Sequence, residues 1–267
     1  MEALEVLKCP KTGHKLRFDD ANSVVVVEDS AITYPIIDGI VDFCPEVKDK
    51  ISTSYDGFAS GYDAYFTSSS LSMKLFNLLV FGGICNYSEY AEAMLSYFPS
   101  QFDGVLLDVP VGTGLVTASQ YAQYPNATII AVDYSMGMLE VARKRFEEQG
   151  LNNVVLVRAD VANLPLTDGA VDIVVSMAGL HAFPDKQAAV AEMRRVLRPD
   201  GSLVASCYVK GVKRRWDWIV KHFGVRKGFF TPPFFTVDDI GSHLAGFTIR
   251  RQENVDGGVS FEAVREC

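Results

Sequence analysis

From residue 104 onward the chain alternates between short apolar runs and amphipathic stretches, a pattern that few folds satisfy. GVLLDV, ATIIAVD, VVLVRAD, AVDIVVSMA and SLVASCYV read as strands. Between them, TGLVTASQYAQY, MGMLEVARKRFEEQG and KQAAVAEMRRVLRP place apolar residues three and four apart, as one face of a helix requires. Gly150 closes the second of these helices and Pro199 stops the third. Strands that are apolar along nearly their whole length have no face to turn to water. They must lie in a parallel sheet with helices covering both sides. After a short helix at DDIGSHLAG the chain closes with two more strands, FTIRRQENV and SFEAVREC.

The N-terminal third is built differently. KLRFDD, SVVVVEDS and AITYPIIDGIVDF are β-branched runs punctuated by Asn, Asp and Gly, which predicts a small β module over residues 1–48. Residues 50–100 read as helices, the last ending before Pro99, and belong with the larger domain over 49–267. The longest apolar stretch, LFNLLVFGGIC (75–85), falls short of the roughly 20 residues of a spanning helix, so no membrane span is expected. MEALEVLKCP lacks the basic start and apolar centre of an export signal. Five scattered cysteines without a Cys-x-x-Cys pair suit a reducing cytoplasm. A net charge of −8 repels phosphate backbones and makes nucleic acid an unfavourable partner. Only YVKGVKRRWDWIVKHFGVRKG (208–228) runs the other way, with seven Lys/Arg and one acid around Trp216, Trp218 and Phe223.

In parallel sheets of this kind ligands sit beyond the carboxyl ends of the strands, where the strand order reverses. LLDVPVGTGL (106–115) ends a strand in Asp108 and continues through Gly112 and Gly114, which permit torsions closed to other residues and let a ligand approach the backbone. A dinucleotide loop would place a third glycine where Thr117 stands. Asp133 ends the next strand, where a carboxylate can accept from both ribose hydroxyls. Asp160 ends the third, within reach of an adenine amino group. Three acids at three successive strand ends point to a nucleoside-type ligand rather than to packing.

These residues resemble the class I S-adenosylmethionine (SAM)-dependent methyltransferases, and within them the ubiquinone/menaquinone C-methyltransferase-like (methyltransferase type 11) group. The similarity covers roughly residues 50–250 and rests on YDGFASGYDAYF, LLDVPVGTGL, AVDYSMGMLEVARKR, VRADVANLPLTDGAVDIVVS and GLHAFPDKQAAVAEMRRVLRPDGSLVAS. It implies a Rossmann-like, doubly wound α/β fold: a mostly parallel seven-stranded sheet with an antiparallel closing strand. SAM is the implied cofactor. Its methionine end would lie on the loop from Asp108 to Gly114, its ribose on Asp133, its adenine between Tyr134 and Met138 with the edge on Asp160 and the Val161 backbone. Met177 would lie beside the amino-acid part, and Tyr55 and Tyr62 would come from lid helices. Pro110 departs from the small residues common there and removes one backbone N–H.

A sulfonium methyl is already activated, so alignment and exclusion of water are the main tasks, and positioning of that kind supplies on the order of 7–11 kcal/mol. Tyr55, Tyr62 and Tyr65 are candidates for aromatic contact with the sulfonium. Tyr62 and His181 are the candidate catalytic residues; His181, in MAGLHAFPD, is either a base near neutrality or a histidine that stabilises its loop. Residues 208–236 form a second lid segment, with Trp216, Phe234 and Phe235 expected beside His181 in the acceptor pocket. LKCPKTGHKL with YPIIDGIVDF resembles a zinc-ribbon-like module, but Thr12 stands where a second cysteine would, beside Cys9 and His14, so no metal is expected. The reading is a methyltransferase acting on a small, partly apolar metabolite. The alternatives are an RNA methyltransferase and a non-catalytic SAM-binding or scaffold protein.

Overall fold

The computed structural model describes residues 5–46, 55–57, 59, 61–63, 87–255 and 257–266. Its centre is a set of parallel strands: β5 (Val105–Asp108), β6 (Thr128–Asp133), β7 (Val154–Arg158), β8 (Val171–Ser176) and β9 (Leu197–Tyr208). β6 lies on one side of β5 and β8 on the other, so the strand order reverses at β5. β10 (Phe247–Val255) and β11 (Gly258–Arg265) form the closing hairpin, and β11 runs antiparallel to both β9 and β10. The seven strands from β7 to β10 are those expected from the apolar alternation.

The sheet does not stop there. β1 (Leu16–Asp19), β2 (Val24–Val27), β3 (Thr33–Ile37) and β4 (Ile40–Asp42) extend it to eleven strands, in the order β1-β2-β3-β4-β7-β6-β5-β8-β9-β11-β10. β4 joins β7 in parallel, Ile40 opposite Leu156 and Asp42 opposite Arg158. The facing pair Asp42 and Arg158 forms an ion pair of 3.2 Å with both side chains almost fully buried.

Side chains of adjacent strand residues point to opposite faces, and the core divides accordingly. Leu107, Ile130 and Val157 face one layer, shared with Leu7, Val25 and Tyr34 of the N-terminal strands and with α4 (Lys186–Val196). Leu106, Ile129 and Leu156 face the other, shared with α2 (Ala118–Tyr121) and α3 (Met136–Glu148). α1 (Tyr87–Leu95) packs through Met94 on Tyr97 and Val204. Each fully buried aliphatic side chain contributes about 1.5–3 kcal/mol. The helix expected over 113–124 is shorter than its pattern: Gly114 takes φ +66°, and regular turns begin only at Ala118. The helix expected over 75–85 and Tyr65 lie outside the described residues.

Candidate active site

Asp108 ends β5 with its side chain buried. Its Oδ2 accepts from the Tyr121 hydroxyl at 2.5 Å and the Thr117 hydroxyl at 3.0 Å. Its Oδ1 is buried and has no hydrogen-bond partner among the described residues. Burial pushes the carboxyl up to about 7 against the pull of the two hydroxyls. The loop that follows takes Gly112 at φ +57° and donates the Gly112 N–H to Asp133 Oδ2 at 2.8 Å. A Cβ on Gly112 would meet none of the described residues within 4 Å, so among them this side of the loop is open. Gly114 is closed in: a Cβ there would stand 2.7 Å from the Phe146 ring. Pro110 braces the loop after β8, its Cδ 2.5 Å from where a Cβ on Gly179 would lie.

Asp133 ends β6, and its second oxygen accepts from the Ser135 N–H at 2.9 Å. Burial pushes this carboxyl up to about 6, held down in part by the backbone donors of Ser135 and Gly112. Ser135 caps α3 by accepting from the Met138 N–H. Met138 is buried, and the Tyr134 carbonyl accepts from Arg158 Nε at 3.1 Å. Asp160 lies two residues past β7, exposed, and caps the short turn Val161–Asn163 through the Ala162 N–H at 2.9 Å. The Val161 side chain belongs to the core, which leaves its backbone to the site. Met177 is partly buried against the core beneath.

Residues 55–57 and 61–63 lie over this end of the sheet, through Asp56 and Asp63. Asp56 accepts from the Ser135 hydroxyl at 2.5 Å and the Gly137 N–H at 3.0 Å. Asp63 accepts from the Thr113 hydroxyl at 2.6 Å and pairs with Arg145, whose Nε also donates to the Thr113 carbonyl. The two acids therefore pin the segment to the β5 loop and to the start of α3. They were not among the residues expected from the sequence, although Tyr-Asp recurs at 55–56 and 62–63, two helical turns apart. The Tyr55 ring lies 5.1 Å from that of Phe229. Burial first, and then Tyr62 and Asp133 nearby, raise its hydroxyl well above the usual tyrosine range.

The expected acceptor residues are only partly brought together. His181 stacks on Phe230 at 4.6 Å. Trp216 and Phe234 meet the same ring edge-on at 6.3 and 6.4 Å, and Tyr208 completes the cluster. Phe230 and Tyr208, which the sequence does not single out, join the cluster: Tyr208 ends β9 and Phe230 follows the helix that ends at Lys227, and neither carries a local signal. Phe235 is not in this cluster. It points to the opposite side of its extended segment, buried in the core against His243 at 4.6 Å. His181 Nδ1 accepts from the Tyr208 N–H at 3.1 Å, and burial with the nearby Lys186 pushes its pKa down to about 3. A neutral imidazole with Nδ1 occupied presents Nε2–H, a donor, so this geometry favours the loop-stabilising histidine over the base.

Residues 106–201 match the model of the methyltransferase domain family. These residues are a methyltransferase domain, in the Rossmann-like fold of the SAM-dependent methyltransferases. Among its relatives, an uncharacterized chloroplastic methyltransferase of Arabidopsis thaliana is 32% identical over 57% of this chain and 48% of its own length. A demethylmenaquinone methyltransferase of Thermus thermophilus is 37% identical over 37% of this chain and 44% of its own. The matched part thus spans less than half of either curated relative. A SAM-dependent methyltransferase of Thermotoga maritima shares the fold at a TM-score of 0.59 and 18% identity, covering 81% of this chain and 100% of its own. The match begins within β5 and ends within β9, so it contains Asp108, Asp133, Asp160 and His181 but neither residues 55–63 nor residues 208–236.

The site fits the cofactor of that domain class. The unpartnered Asp108 oxygen calls for a donor, and the open side of Gly112 leaves room for one. No described helix is long and apolar enough to cross a membrane. In the N-terminal region Cys9 Sγ lies 3.4 Å from the Tyr34 hydroxyl, and His14 Nδ1 lies 3.0 Å from the Glu28 carbonyl. Among the described residues no three His, Cys, Asp or Glu side chains gather around a common point.

Proposed function

We propose that the chain transfers a methyl group from SAM to a small, partly apolar metabolite. The observation that carries this reading is the row of three acids at three adjacent strand ends beside a glycine loop with one open side. SAM supplies a methyl activated by its sulfonium. Asp108 would take the α-ammonium, Asp133 the ribose hydroxyls, and Asp160 with the Val161 backbone the adenine edge. Tyr134 and Met138 would flank the adenine, with Met177 beside the amino-acid part. Tyr55 and Tyr62 hold water away from the transferred methyl, and Asp56 and Asp63 hold them in place. His181, Tyr208, Trp216, Phe230 and Phe234 form the wall for the acceptor, with His181 Nε2–H as a hydrogen-bond donor to it. A cytoplasmic setting agrees with Cys9, Cys44 and Cys207, which are all free thiols.

Incubating the protein with methyl-labelled SAM and a fractionated cell extract tests this. The label is expected in a small, solvent-extractable product. Label in RNA, or in nothing while SAM still binds, would overturn the acceptor class.

Cofactor binding should also depend on pH. In the ligand-free fold Asp108 holds its proton up to about pH 7. An ammonium favours the ionised carboxylate, so binding releases a proton and the affinity climbs as pH rises from 5 to 7, by up to about tenfold per unit. Above 7 it levels off. The same group acts oppositely on the ligand-free fold: its folded pKa is raised, so the stability it contributes is lost as pH rises toward 7. Calorimetry in two buffers of different ionisation enthalpy at pH 6 should show close to one proton released from Asp108, on top of what Asp133, raised to about 6, gives up. Asp108→Asn should lower the count by about that one proton.

A further inference from the structure

Four large apolar side chains are exposed among the described residues, and three of them lie within twelve residues: Val212, Trp218 at 56% and Phe223 at 59%. Trp218 and Phe223 belong to the helix that begins with α5 (Arg214–Ile219) and runs through a wide π turn (Val220–Gly224) to Lys227, and Val212 stands two residues before its start. Trp218 and Phe223 are five residues apart. An α-helix would turn them away from each other, but the wider π turn, with bonds between residues five apart, brings their rings to 5.8 Å on one face. Arg214, Lys221, Arg226 and Lys227 are exposed around them. The one acid of the segment is turned inward: Asp217 accepts from the Tyr208 hydroxyl at 2.5 Å and the Gly211 N–H at 3.0 Å.

We propose that the exposed face of helix 214–227 docks the protein on an anionic lipid surface. The apolar wedge ringed by cations is the chemistry of a helix that lies in the headgroup layer. Charge complementarity selects the surface: the exposed Arg214, Lys221, Arg226 and Lys227 form a local basic patch, while the net charge of −8 on the chain as a whole confines contact with an anionic surface to this face. Nucleic acid fits less well. The Trp218 ring is already engaged by Phe223 and by His222 at 4.8 Å, and a wedge so packed suits insertion better than base stacking. On its inner face the helix lays Trp216 on Phe230, which stacks on His181. A lipid surface would thus lie about one helix diameter, ~10 Å, from the acceptor wall. Docking stands without the proposed reaction. Only its use, the uptake of an apolar acceptor from the bilayer, rests on that reading.

The test is flotation of the full chain with vesicles of phosphatidylcholine, alone or mixed with phosphatidylglycerol. Binding is expected to the mixed vesicles, to weaken with salt, and to shift tryptophan emission to the blue. Each cation near such a surface is worth about fivefold in partition, so Lys221→Glu with Arg226→Glu should lose about 25-fold or more. Trp218→Ser with Phe223→Ser should lose the emission shift while SAM binding shows that the fold is intact. Equal binding by these variants, or none by the parent, overturns the proposal. So does loss of RNA binding or of self-association in the variants without any vesicle binding by the parent. Vesicle binding without any methylated product would leave docking standing and remove the acceptor reading. Methyl transfer without vesicle binding would do the reverse.

Discussion

Asp133→Ala is expected to weaken SAM binding about 100-fold. The carboxylate has two roles that share the same atoms. It ties the Gly112 N–H to the Ser135 N–H, so it joins the glycine loop to the start of α3. In the proposed cofactor site it would also offer its remaining lone pairs to the ribose. A hydrogen bond to a charged group contributes about 1.5–3 kcal/mol, and 100-fold is about 2.7 kcal/mol. Losing both the ribose contact and the ordered loop accounts for that factor. Equilibrium dialysis measures it, with circular dichroism to confirm the fold. An affinity within threefold of the parent would remove Asp133 from the cofactor site.

Gly114→Ala should cost stability more than binding. Its φ of +66° disfavours any side chain by about 1–2 kcal/mol. The added Cβ would also stand 2.7 Å from the Phe146 ring, which is buried in the layer under α3. Overpacking of that kind costs about 1–3 kcal/mol more. In a chain of this length each kcal/mol lowers Tm by about 2–4 °C, so a fall of roughly 10 °C is expected in a thermal melt. Gly112→Ala is the control. It shares the positive φ but meets no neighbour, so its melting point should fall much less. A Gly114→Ala protein melting within 2 °C of the parent would show that Phe146 moves aside at little cost.

The contrast between these glycines shows what could be read from the sequence and what could not. Both stand in LLDVPVGTGL, and the spacing alone marks a loop. Which one is open depends on Phe146, thirty-two residues later on another helix. The parallel strands and the acids at their ends were legible, because apolar runs and their boundaries are local properties. The N-terminal strands were legible as strands, but their union with β7 was not, since nothing in IVD or VVLVR names its neighbour. Phe234 and Phe235 could not be separated without knowing which face of their segment met the core. Pro110 is another case. From the sequence it means a stiffer loop with one N–H fewer, and nothing local shows that its ring lies against Gly179.

The union of β4 with β7 also governs how the sheet ends. Without it β7 would be a rim, an exposed row of unpaired N–H and C=O groups ready to template another chain. The N-terminal strands move that rim outward to β1, four residues long and bearing Arg17 and Asp19. At the far side the rim is β10, with Arg250, Arg251 and Glu253 exposed along it. Both ends of an otherwise highly apolar sheet are therefore charged, and one is short. The N-terminal strands thus help to keep an eleven-stranded sheet from growing by one strand more.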